Sequence, residues 1–187
     1  MIKKLARKTT LTVVLFLFSL AVNGASLLSN FDSAIDGDYE GTPDAANPFT
    51  TGTSPIEIGS ISVNWEVLGG TPGINTVGIY EDNAGIPGGV LIGTLFTNPN
   101  PTEVGQMRYV GNAVLSANTS YWVVIDINDN SNPSYTFTNT VISDSSTGGA
   151  TIPDRSAFGS IDTGSWDDDP ASLLIELDDL IFANGFE

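Results

Sequence analysis

The chain has 187 residues, of which 41% are hydrophobic and 15% charged, with a formal charge of −16 at pH 7 and neither histidine nor cysteine. Without histidine there are no His-based triads, no His general bases and almost none of the catalytic zinc sites; without cysteine there are no disulfides, no thiol chemistry and no acylated N-terminal cysteine. So acidic a chain repels phosphate backbones, which excludes nucleic acid as a partner.

The first element in chain order is an export signal. Lys3, Lys4, Arg7 and Lys8 make a basic head, LTVVLFLFSLAV (11–22) is an apolar run, and Val22 and Gly24 or Ala25 provide the small residues of a signal-peptidase site. The run is shorter than the ~20 residues a spanning helix needs. We therefore read residues 1–25 as a cleaved signal peptide, with no membrane span left after cleavage. The expected destination is outside the cell or on its surface, with the periplasm as the alternative. Cleavage removes four of the six basic residues, leaving Arg108 and Arg155 against 22 acids. Residues 26–179 are expected to form one domain, and a length of roughly 160 residues is enough to bury a core without disulfides.

Beyond the signal the apolar residues recur with period two. In ISVNWEV (61–67) Ile61, Val63, Trp65 and Val67 share one face, the pattern of a half-buried strand. Strands are also expected in TVGIYE (76–81), VLIGTLF (90–96), QMRYV (106–110), SYWVVIDI (120–127), SYTFTNTVI (134–142) and SLLIELD (172–178). Turn-formers separate them: GGTPG (69–73), NAGIPGG (83–89), NPNP (98–101), NDNSNP (128–133) and STGGATIPD (146–154). No long helical stripe appears. The expected fold is all-β, an antiparallel β-sandwich with jelly-roll-like connections.

Three stretches in order, NPFTTGTSPIEIGSISVNWEV, VGIYEDNAGIPGGVLIGTL and LSANTSYWVVIDI, resemble the exported bacterial domain family called choice-of-anchor R. The resemblance covers residues 46–127 and extends more weakly to 178. It implies a surface or secreted domain followed by a sorting or anchoring segment, and it brings no catalytic residues with it. The sequence departs from that pattern after residue 170, where there is neither an apolar span with basic residues nor a sortase-type Leu-Pro-x-Thr-Gly.

Carboxylates are the only groups left for catalysis. DTGS (162–165) copies the aspartic-protease signature, but that chemistry needs two facing aspartates and the string occurs once, so we read it as a turn before Trp166. A carboxylate-dependent hydrolase needs only two acids about 5 to 9 Å apart, and no pair is marked by its context. Calcium is the cofactor such acids would take, from clustered oxygens on loops. The candidate ligands are Asp32, Asp36 and Asp38; Asp126, Asn128 and Asn130; and Asp167, Asp168 and Asp169. The competing reading is that these are solvated acidic turns. For a carbohydrate-binding module the aromatic platforms would be Trp122, which shares a strand face with Val124 and Asp126, and Trp166 in an acidic loop. Trp122 would instead be core if its strand is covered on both sides.

The last segment, LIFANGFE (180–187), reads either as the closing edge of the sandwich or as a sorting tail, and it resembles the Phe-Ala-x-Gly-Phe-Glu endings of other exported bacterial proteins. These features together predict a non-enzymatic adhesive, matrix or binding module whose partner is a surface or matrix polysaccharide or protein. A carbohydrate-binding module and a carboxylate-dependent hydrolase are the alternatives.

Overall fold

A computed structural model describes residues 26–40, 44–70, 76–98, 104–127, 131–141 and 145–179. The expected signal peptide, the tail at 180–187, and Asn128 and Asn130 lie outside the described residues.

The described chain is almost entirely strand. In order these are β1 (Ser26–Ser29), β2 (Gly37–Glu40), β3 (Asp44–Thr50), β4 (Ile56–Gly70), β5 (Thr76–Asn83), β6 (Ile86–Leu91), β7 (Phe96–Thr97) and β8 (Val104–Leu115). They continue with β9 (Ser120–Asp126), β10 (Ser131–Thr138), β11 (Ser145–Ser146), β12 (Ser156–Ser160), β13 (Ser165–Asp169), β14 (Ser172–Leu173) and β15 (Ile175–Asp179). A single 3-10 turn, Thr147–Gly149, is the one helical element among them. No helix among the described residues is long and apolar enough to cross a membrane.

Every pairing is antiparallel, as expected for an all-β sandwich-like fold. The main hydrogen-bonded path runs β11-β1-β15-β4-β8-β7-β5-β9-β3-β12-β13, with β6 on β5 and with β10 joining β4, β2 and β14. The sheet must curl, because strands far apart along this path share one core. Leu28 of β1, Phe49 of β3, Ile61 of β4, Ile79 of β5, Tyr109 of β8, Val123 of β9 and Ile175 of β15 all belong to it. A smaller cluster covers the other face of the β3, β9 and β12 region, where Ala46, Trp122, Val124 and Ala157 are buried together. β9 is therefore covered on both sides, which explains the unbroken apolar run Tyr-Trp-Val-Val-Ile at its centre.

Two expected elements change. Residues 90–96 are not one strand: β6 ends at Leu91, and Gly93 turns the chain with φ +78, where a Cβ would stand 2.1 Å from the Asn112 carbonyl oxygen. The expected turn at 83–89 shrinks to Ala84 and Gly85, both with positive φ, closing a two-residue hairpin on the Asn83–Ile86 pair. Pro87 then fits inside β6 because β6 pairs only with β5 and has an open edge.

The curl is fixed where β4 changes partners. Its first half pairs with β15 and its last residues with β10. Between them the segment Leu173, Leu174 and Ile175 leaves one partner for the next, which exposes backbone groups that no ladder fully satisfies. Two wholly buried asparagines complete them. Asn47 Oδ1 accepts the Leu173 N–H at 2.8 Å, while Asn30 Oδ1 accepts the Ile175 N–H at 2.7 Å and Asn30 Nδ2 donates to the Leu173 carbonyl at 2.8 Å. A buried polar group left without a partner costs about 1–3 kcal/mol. Asn30→Ala orphans two such groups and Asn47→Ala one. Each kcal/mol shifts the melting temperature by roughly 2–4 °C at this size. Thermal denaturation followed by circular dichroism is expected to show Asn30→Ala melting roughly 4–24 °C low, with Asn47→Ala about half as affected.

Candidate functional site

Two of the strands that leave an edge open in the described network are β2, which pairs only with β10, and β13, which pairs only with β12. They face each other across the curl. Tyr39 of β2 stacks on Phe158 of β12 with ring centroids 4.2 Å apart and an interplanar angle of 27°, and meets Phe137 edge-on at 5.4 Å. Its hydroxyl donates to Asp169 Oδ2 of β13. That hydrogen bond is also the main reason the Tyr39 phenol titrates above its usual range. Beside this bridge lies a cleft of about 260 Å³, walled by the rings of Tyr39, Tyr135 and Phe158 and by the acids Glu40, Asp167, Asp168 and Asp169.

The β12–β13 hairpin that carries these acids is held from three directions. Its turn, residues 161–164, contains most of the DTGS string and ends on Gly164 at φ +67. At Gly159 the strands come so close that a Cβ would lie 2.0 Å from the Ser165 carbonyl oxygen, so only glycine fits. The buried Asp44 carboxylate accepts the Ile161 N–H at 2.8 Å and the Ile127 N–H at 3.1 Å, tying the turn to the end of β9. On the far face, Arg155 donates to Asp168 Oδ1 and to the Gly85 carbonyl, and its guanidinium lies 5.3 Å from the Trp122 ring centroid.

The platform expectation for Trp122 is overturned. Its ring is 0% exposed within the smaller cluster, and its Nε1 donates to Asp82 Oδ1 at 2.8 Å. It is core because β9 is sandwiched on both faces. Trp166 is half-buried against the same cluster and sits in β13, not in a loop, and it does not line the cleft. The sequence reading missed the rings that do line it. Tyr39 lies in the polar string DGDYE and Phe158 in SAFGS, and only the pairing of distant strands brings them together.

The acidic strings meet protein donors. Asp36 Oδ2 accepts the Asn139 N–H at 2.7 Å, which links the stretch before β2 to the end of β10. Asp169 accepts Tyr39 and the Ala171 N–H, and Asp168 accepts Arg155. Asp32 lies in the turn after β1, Asp38 sits within β2, and Asp126 ends β9 on the exposed side. No group of three or more carboxylates among the described residues is arranged to hold a metal ion. Asp32, Asp36 and Asp38, and Asp167, Asp168 and Asp169, thus form no such carboxylate group among the described residues. In β13, successive aspartates point to alternate faces and so do not converge.

A second charged group lies on the outer face of β4, β8 and β15. Arg108 Nε donates to Ser60 Oγ at 2.9 Å, and Ser60 Oγ donates to Asp178 Oδ2 at 2.9 Å, with the guanidinium nitrogen 3.8 Å from that carboxylate. Gln106 donates to Glu176 at 3.2 Å. Burial raises the pKa of both Asp178 and Glu176, and for Glu176 the neighbouring Asp178 charge adds to it. A folded-state pKa above the unfolded one means that the folded state holds its proton more tightly. The resulting stability is fully present below the unfolded value, about 3.9–4.3, and is lost as pH rises through the folded values. The melting temperature is expected to fall as pH rises above the unfolded range, and an Asp178→Asn, Glu176→Gln double variant to show a shallower fall in the same buffers.

No protein-family model, no curated protein and no solved structure matches the sequence.

Proposed function

We propose that this chain is an exported, non-enzymatic binding module of the choice-of-anchor R kind, acting at or beyond the cell surface, and that the cleft between β2 and β13 receives a carbohydrate group of its partner. The observation that carries this reading is the wall chemistry of the cleft: three aromatic rings and the carboxylates of Glu40, Asp167 and Asp169 around one opening of about 260 Å³. Aromatic faces pair with the C–H faces of sugar rings, and carboxylates accept their hydroxyls. Ligand clefts start at about 300 Å³, so this one suits a single sugar or terminal group and not an enclosed chain. Export is supported by the basic head and apolar run of residues 1–25.

Binding is favoured over hydrolysis by where the perturbed acids lie. Glu176 and Asp178, the carboxylates whose pKa values are raised, belong to β15 and do not line the cleft. The test is retention of the purified protein on a panel of insoluble polysaccharides. Phe158→Ala is expected to weaken retention on the bound member at least about tenfold, equivalent to about 1.4 kcal/mol, while Trp166→Phe leaves it unchanged. Equal retention of the Phe158→Ala protein and the parent would remove the cleft from consideration.

A further inference from the structure

We infer that the group entering the cleft is cationic, an amino sugar with a free amine; this rests on the carbohydrate reading above and narrows its ligand class. The walls supply acceptors far in excess of donors. Among the polar side chains that line the cleft, only Tyr39 and Tyr135 carry a donor, and the Tyr39 hydroxyl is already given to Asp169. An ammonium has three donors and no acceptor, so it fits such a wall completely, whereas each hydroxyl of a neutral sugar brings an acceptor that the wall cannot match.

Charge points the same way. Asp168 is neutralised by Arg155 on the opposite face of the hairpin, but Glu40, Asp167 and Asp169 form no salt bridge among the described residues. The rings of Tyr39 and Phe158 stand beside these carboxylates, and an aromatic face attracts a cation by about 0.5–2 kcal/mol, more as the site is desolvated. The hairpin also carries an unanswered hydroxyl. Ser156 Oγ shares a strand face with Phe158, lies across from Asp169, and is buried without a hydrogen-bond partner among the described residues. That hydroxyl can donate as well as accept and does not line the cleft, so it does not alter the balance of the wall. An anionic sugar would meet three uncompensated negative charges.

The probes are short oligosaccharides of one backbone in three forms: glucosamine with free amines, its N-acetylated counterpart, and the plain glucose oligomer. Titration calorimetry with the purified protein at low salt is expected to give at least tenfold tighter binding of the free-amine form. Asp167→Asn and Phe158→Ala are each expected to reduce that binding about tenfold, while Glu57→Gln, an equal charge change at an exposed site on β4, leaves it intact. If the acetylated or plain oligomer binds as well as the amine, the cationic inference fails and the carbohydrate module stands. If Glu57→Gln costs as much as Asp167→Asn, the attraction is a general property of an acidic protein and the site assignment fails. If none of the three binds, both readings fall together. Melting curves for each variant separate lost binding from lost folding.

Discussion

Leu173, Leu174 and Ile175 occupy the place where a continuous sheet has to become a closed one. A strand that passes from one partner to another breaks its ladder for a residue or two, and in water the freed N–H and C=O groups would simply be solvated. Here the break is buried, so the groups need partners fixed in the core, and Asn30 and Asn47 provide them from β3 and from just beyond β1. Ser172 joins the same network, donating to Asn47 Oδ1 at 3.1 Å and accepting from Asn30 Nδ2 at 3.2 Å. Such a network favours one closed arrangement over sliding alternatives, because any shift in register strands several buried polar groups at once. The cleft depends on it indirectly: β14 leads out of β13 and joins the core beside β10, so the knot fixes how near β13 stands to β2.

Most of the inner sheet was legible from the period-two pattern alone. Ile61 and Val63, Val123 and Ile125, and Leu173 and Leu177 are core residues as their alternation predicts. What alternation does not reveal is a second covered face, since Trp122 has the same period whether it meets solvent or another layer. The two asparagines were also invisible, because Asn30 sits in SNF and Asn47 before a proline, contexts that read as turns. Trp-Asp-Asp-Asp reads as a loop for a sound local reason, aspartate being depleted in strands. Tertiary pairing with β12 overrides that preference, and the outer position of β13 leaves the charges room to stay hydrated.

The site itself was the least legible part. Its acids stand out as clusters in the sequence, but neighbours along a strand face opposite ways, so grouping by sequence misplaces them. Asp168 turns toward Arg155 and Trp122, while Asp167 lies across from Phe158 and Asp169 bonds Tyr39. The aromatic partners come from strands about 120 residues apart in the chain. Two cations remain after the basic head, and both are committed to carboxylates: Arg108 stands over Asp178 on the outer sheet, and Arg155 fastens the hairpin to the β5–β6 turn.

The open edges of β2 and β13 also bear on how copies of this chain meet one another. An unpaired strand edge is a template on which a second copy can add its own strand, and proteins kept at high density are most at risk of it. Here one open edge reads Gly-Asp-Tyr-Glu and the other Ser-Trp-Asp-Asp-Asp. Two molecules approaching through the β2 and β13 edges would therefore press carboxylates against carboxylates before any backbone bond could form. Molecules meeting through these edges thus remain separate units even when crowded.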